Sequence, residues 1–412
     1  MNVWTVLFVL LIVAGAAVEV WLATRQIAAV RAHREQVPPP FATAVSGDEH
    51  RKAAAYTEAK ARAGRIAAVL DALIVLAMTV GGGIGILDDL WQRSGASELW
   101  LGLAVIGSVT VAVWLANLPL SLWRTFVLEA RFGFNRTTLP LYLADLAKGA
   151  ALAALLGVPA VLGALWLMQR AGRHWWLWAF GGWVVLTLAI TWAWPVLVAP
   201  LFNRFTPLAD AELKARIEAL LKRCGFAASG VFVVDGSRRS AHGNAYFTGF
   251  GRTKRIVFFD TLLAELAPPE IEAVLAHELG HFRLHHVRAR LAVSIGVMFL
   301  AFVALGALAR EHAFYVALGV AHPSPHAALL LFAFAAPAVL YFATPLSALW
   351  SRRHEFAADR FAAAQVEAGQ LITALVKLYR SNASTLTPDR LYSAFHDSHP
   401  PALERISELS RH

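Results

Sequence analysis

Long apolar runs alternate with short polar stretches along most of this chain. Seven runs reach the about 20 mostly apolar residues that a membrane-crossing helix needs. They are Val3–Ala23, Ile66–Leu87, Leu99–Trp123, Gly149–Met168, Trp175–Leu201, Leu291–Ala309 and Ala327–Trp350. Five hold no Asp, Glu, Lys or Arg; the other two hold Glu19 and Asp71. A buried helix of a soluble domain accounts for one such run, not for seven. Two stretches break the pattern. In 202–290, Leu213, Ile217, Leu220 and Leu221 recur at helical spacing between Asp210 and Cys224, and Gly225 is a stop signal. Three β-like runs follow, Val231–Val234, Asn244–Phe247 and Ile256–Phe259, separated by Gly and basic residues. Pro268-Pro269 then opens a helix expected to run from about Glu270 to His286. Residues 351–412 read as mostly helical.

This gives four expected regions: spans one to five in 1–201, a polar segment in 202–290, two spans in 291–350 and a helical tail in 351–412. Val3–Ala23 lacks a basic flank and reads as a retained span. Lys and Arg are absent before the first run, frequent from Arg25 to Arg65, reduced to Arg93 in the second loop, and frequent again from Arg124 to Lys148. The alternation continues along the chain. By the positive-inside rule, the N-terminus lies outside and both polar segments lie in the cytosol.

Composition agrees. Of 412 residues 58% are hydrophobic and 16% charged, against about 45–50% and about 25% in soluble domains. Net charge is +9, but the cations flank apolar runs, which favours lipid and argues against a nucleic-acid partner. The single cysteine, Cys224, excludes a disulfide framework. Of the 37 Lys and Arg only seven are Lys, a bias of GC-rich bacteria, and the C-terminal end carries no ER-retention signal. We therefore expect a bacterial inner membrane.

The chemistry is concentrated in His277-Glu278-Leu279-Gly280-His281. Two histidines four apart share one helix face and can hold Zn²⁺, and the Glu between them reaches the water that zinc acidifies. Gly280 reads as leaving room for metal or substrate. A catalytic zinc needs a third ligand. Leu284 and Val287 stand where one relevant protease class needs Gly and His, and His285 and His286 are too close along the helix. The best candidate is Glu355, with Asp359 one turn on to accept the outer N–H of a ligand His. On spacing alone, a solvated acidic pair beside Arg352, Arg353 and Arg360 remains open.

Taken together, several segments resemble the Ste24-type CAAX prenyl proteases, the integral-membrane zinc metalloproteases of family M48. They are Glu129–Asn135, Pro200–Pro207, Gly243–Phe247, Ile256–Asp260, His277–His281, Glu355–Asp359, and Ser398–Pro401 with Arg405. The resemblance implies one zinc on His277, His281 and Glu355, with Glu278 as base. It implies seven helices enclosing an intramembrane chamber, and a small α+β gluzincin-type protease domain on the cytosolic face. Asn244, Ala245 and Tyr246 are then expected as an edge strand that pairs with an extended substrate. His399 and Arg405 are candidates for the developing oxyanion, and Asp359 for proton transfer or, better, ligand orientation. The implied partners are membrane lipids and a peptide or protein, lipidated or membrane-associated: a prenylated C-terminus or a misfolded membrane protein. A transporter or scaffold with a structural metal is the competing class. It would not need Glu278, and it usually carries internal repeats, which are not seen here.

Overall fold

The computed structural model describes residues 2–226, 230–248 and 255–411. The loop 249–254, which was expected to separate two strands, lies outside them. The chain begins with α1 (Val3–His33), α2 (Gly47–Met78), α3 (Gly83–Gln92), α4 (Glu98–Trp123), α5 (Leu139–Arg170), α6 (Trp175–Ala193) and α7 (Ala199–Phe202). Next come β1 (Phe205–Pro207), α8 (Ala211–Arg223), β2 (Gly230–Val234), β3 (Ala245–Thr248), β4 (Arg255–Phe259), α9 (Asp260–Glu265) and α10 (Pro268–Arg283). It ends with α11 (His286–Leu308), α12 (His312–Ala317), α13 (Pro325–Tyr341), α14 (Thr344–Gln365), α15 (Ala368–Ser381), α16 (Arg390–His396) and α17 (Ala402–Leu409).

Each of the seven apolar runs falls on a helix or a bent pair. Among the described residues, five stretches are long and apolar enough to cross a membrane: Val3–His33, Glu98–Glu129, Leu139–Arg170, Gly172–Phe202 and His286–Leu308. The pairs α2/α3 and α13/α14 bend by 44° and 61° and bring the number to seven if each is one span. Gly82, at φ +80, makes the first bend possible. These helices turn large apolar side chains outward, with Leu155 69% and Trp178 66% exposed. In water such a surface would far exceed the apolar patches monomers tolerate; it suits lipid. Cavities of about 510 Å³ and 610 Å³ open among them, the first lined by Glu19, Asp71 and Arg124 and the second by Arg290, Ser351 and His396.

The polar segment folds around one sheet of order β1-β2-β4-β3. β2 and β4 are parallel, while β1 on β2 and β3 on β4 are antiparallel. Asp210 caps α8 by accepting the Leu213 N–H at 2.9 Å, and Leu213, Ile217, Leu220 and Leu221 are its buried face as expected. Ile256 and Phe258 of β4 pack in the same core with Leu275 and Leu279 of α10 and Leu371 and Leu375 of α15. Burying each such side chain stabilises the fold by about 1.5–3 kcal/mol. The strands are only three to five residues long. The part outside the apolar helices is therefore mainly helical, which corrects the expectation of a clear α+β domain. A second correction concerns α10. It stops at Arg283, and His285, at φ 61, breaks the chain before α11.

Candidate active site

α10 starts at Pro268-Pro269, where a missing N–H costs nothing, and Glu270 Oε2 accepts the Ala267 N–H at 2.7 Å. The helix then runs through the core, so His277 and His281 emerge one turn apart on the side that faces α14. A methyl group at Gly280 would stand 3.1 Å from Ala358 Cα. Gly280 thus serves close packing of α10 on α14, not the metal approach read from the sequence. That approach sets Glu355 against both histidines: His277 Nε2 is 3.4 Å from Oε2 and His281 Nε2 is 3.3 Å from Oε1. The two Nε2 atoms are 3.2 Å apart. One donor atom from each of His277, His281 and Glu355 lies within 4.8 Å of the others.

The surroundings fix which ring nitrogen faces the centre. Asp359 Oδ1 lies 2.8 Å from His277 Nδ1, so Nδ1–H donates to it and Nε2 is the nitrogen turned to Glu355. Arg405 forks onto Asp359, with Nε 2.8 Å from Oδ2 and Nη2 2.6 Å from Oδ1. Arg405 is buried and sits on the Nδ1 side of His277. His281 Nδ1 meets His286 Nδ1 at 3.1 Å. With Nε2 turned to Glu355, His281 carries its proton on Nδ1 and His286 accepts. His286 in turn stacks on His354, ring centroids 3.9 Å apart and 4° from parallel.

Glu355 is 1% exposed, and its Oε2 is buried without a well-aligned hydrogen bond, although ring nitrogens lie around it. An oxygen so placed suits a cation. Burial by itself lowers the His277 pKa, but hydrogen bonds to Asp359 and Glu355 outweigh that and push it up to about 9. Two imidazoles with one carboxylate are a donor set that fits zinc once the proton leaves the ligating nitrogen.

The other expected residues are placed as follows. Glu278 is half-buried and has no hydrogen-bond or ion-pair partner among the described residues. His399 is 59% exposed, with Nδ1 2.7 Å from Glu355 Oε2. Asn244 leads into β3, an outer strand of the sheet, and Ala245 and Tyr246 are its first two residues. Asn244 Oδ1 accepts its neighbour's N–H at 2.8 Å and its carbonyl accepts from Phe259 at 2.9 Å. Phe247 of β3 packs on Phe282, next to His281, at 4.5 Å. Sequence reasoning missed His286 and His354. On a continuous helix His286 is too close to His281 to face it, and only the break at His285 turns it back.

Residues 26–204 match the family described as CAAX prenyl protease N-terminal, five membrane helices, and residues 207–412 match peptidase family M48. The chain is 35% identical to a CAAX prenyl protease 1 homolog of Oryza sativa, covering 92% of each. It is 38% identical to CAAX prenyl protease 1 of Saccharomyces cerevisiae over 74% of this chain and 71% of the relative. A crystal structure of S. mikatae Ste24p superposes with a TM-score of 0.90 at 31% identity, covering 99% of both chains. Five to seven candidate spans, a His-His-Glu cluster on facing helices and these full-length likenesses place the chain in family M48, as an integral-membrane metalloprotease of the Ste24 type.

Proposed function

We propose that this chain is an endopeptidase that uses one zinc ion held by His277, His281 and Glu355. One observation carries the reading: donor atoms from α10 and α14, 74 residues apart in sequence, converge within 4.8 Å. When bound, zinc supplies Lewis acidity to water and to the scissile carbonyl. Glu278, beside the proposed ligands and without a partner among the described residues, takes the proton of the attacking water and passes it to the departing amine. Asp359 holds the His277 tautomer. Arg405, buried and spent on Asp359, is assigned to that carboxylate in preference to the oxyanion. His399, more exposed, is the donor left for the oxyanion. The outer edge of β3, with Asn244 before it, receives the extended peptide.

The relatives' names support C-terminal processing of prenylated peptides. The cavities among the spans support a chamber that takes a lipid or apolar tail, and the loop charges support a cytosolic site. The arginine bias supports a bacterial inner membrane, whereas the relatives named above are eukaryotic. The test uses the full-length protein in detergent. Cleavage of a quenched farnesylated peptide is expected to stop on chelation, return with zinc, and fall about 10²–10⁴-fold in Glu278→Gln with metal retained. Near-normal turnover in that variant refutes the base. Substrates trapped by Glu278→Gln in the native host separate prenylated C-termini from misfolded membrane proteins.

A further inference from the structure

Glu19 lies within the first apolar run, where a carboxylate is costly unless it has work to do. Its Oε1 is 2.7 Å from His396 Nε2, and its Oε2 accepts the Tyr341 hydroxyl at 2.8 Å. The other ring nitrogen of His396, Nδ1, lies 2.9 Å from the Tyr392 carbonyl. Both nitrogens face acceptors, so the ring donates twice and is cationic. Six residues further along α1, Arg25 forks onto Asp389, seven residues back from His396, at 2.9 and 3.2 Å, and the next residue, Gln26, accepts the Asp389 N–H at 2.7 Å. Thus α16 is clamped at both ends to the first membrane helix.

The C-terminal end of that clamp points at the site. Arg352, one turn before Glu355, donates to the carbonyls of Ser393 and, at 3.3 Å, Asp397. Two residues beyond Asp397, His399 reaches Glu355. His399 is largely exposed, so few contacts of its own hold it. We propose that Glu19 is a positioning residue for His399: its ion pair with His396 fixes the end of α16 from which residues 397–399 extend to Glu355. The first membrane helix then takes part in catalysis as well as anchoring. For its kinetic arm the proposal rests on the peptidase reading above.

The test compares full-length variants in detergent. Glu19→Gln is expected to lower kcat about ten- to a hundredfold through misplacement of His399, with KM and zinc content unchanged and kcat read well below the Tm of the variant, since loss of the ion pair also costs stability. In a His399→Ala background the same substitution is expected to cost nothing further, because the two act as one unit. Mobility gives a readout independent of turnover. A nitroxide at position 399, introduced by His399→Cys with Cys224→Ser, is expected to loosen in metal-free protein on Glu19→Gln. If Glu19→Gln fails to fold, His396→Gln replaces it in every arm. An undiminished penalty in the His399→Ala background, a loss that tracks Tm or zinc content, or an unchanged nitroxide spectrum overturns the proposal. Absence of cleavage by the wild type would refute the peptidase reading alone, and the nitroxide would still decide the positioning.

Discussion

Gly280 and Ala358 meet backbone against backbone: a methyl group at 280 would stand 3.1 Å from Ala358 Cα and 3.2 Å from its carbonyl oxygen. Neither atom can swing aside as a side chain does. Gly280→Val is therefore expected to push α10 from α14, at an overpacking cost of about 1–3 kcal/mol, and to widen the gap between the histidines and Glu355. Zinc content after dialysis and Tm with and without zinc measure it. In Gly280→Ala the gain in helix propensity, about 1 kcal/mol, offsets part of the strain. Wild-type zinc retention in Gly280→Val would show that helix contact does not set the site.

The Arg405 fork separates orientation from catalysis. Lysine keeps the charge but cannot bond both oxygens of Asp359. Arg405→Lys is expected to weaken zinc binding about 10–100-fold, the usual loss when a partner of a ligand is disturbed. Competition with a zinc indicator measures it. Undiminished affinity with lost turnover would return Arg405 to the oxyanion role expected from sequence.

His396 makes stability fall with pH. Burial alone lowers its pKa, but the hydrogen bond and charge of Glu19, the Tyr392 carbonyl and the charge of Asp397 raise it above 6.5. A folded pKa raised above the unfolded one gives stabilisation that is full below about 6.5 and is lost as pH rises through the folded value. Tm is expected to decline on that limb in the wild type and less in His396→Gln. Parallel curves would sink the assignment.

Asn244→Ala tests strand addition. Backbone pairing is indifferent to side chains, so kcat/KM is expected to drop for every peptide alike, whereas loss of a side-chain pocket would discriminate among them. A loss confined to one peptide would make Asn244 a turn residue.

Because α10 and α14 share one site, 202–290 and 351–412 are expected on one side of the membrane. Reporter fusions at Asp210 and beyond Arg411 measure it. Opposite sides would break the span count and the Glu355 assignment together.

The apolar runs were legible because lipid demands contiguous apolar sequence, and the zinc motif because helical spacing alone brings His277 to His281. Glu355 was visible as a candidate, but its approach depends on Gly280 meeting Ala358, a contact no local pattern announces. Gly280 itself was misread for that reason. The break at His285 lacks the usual glycine signal, so the turn that gives His281 its partner His286 was hidden. The Glu19–His396 pair spans 377 positions, a separation that no local pattern bridges.

The two halves of the His-His-Glu cluster are separated in the chain by the two last apolar helices, α11 and α13 with the start of α14. A chain made from its N-terminus presents His277 and His281 early and Glu355, Asp359 and Arg405 only at the end. Both intervening helices must be threaded before Glu355 can reach the two histidines. On the function proposed above, the order of synthesis would work as a safety catch: a nascent or misthreaded chain would carry the histidines and Glu278 but no closed metal site, and hydrolytic power would arrive only with completed insertion.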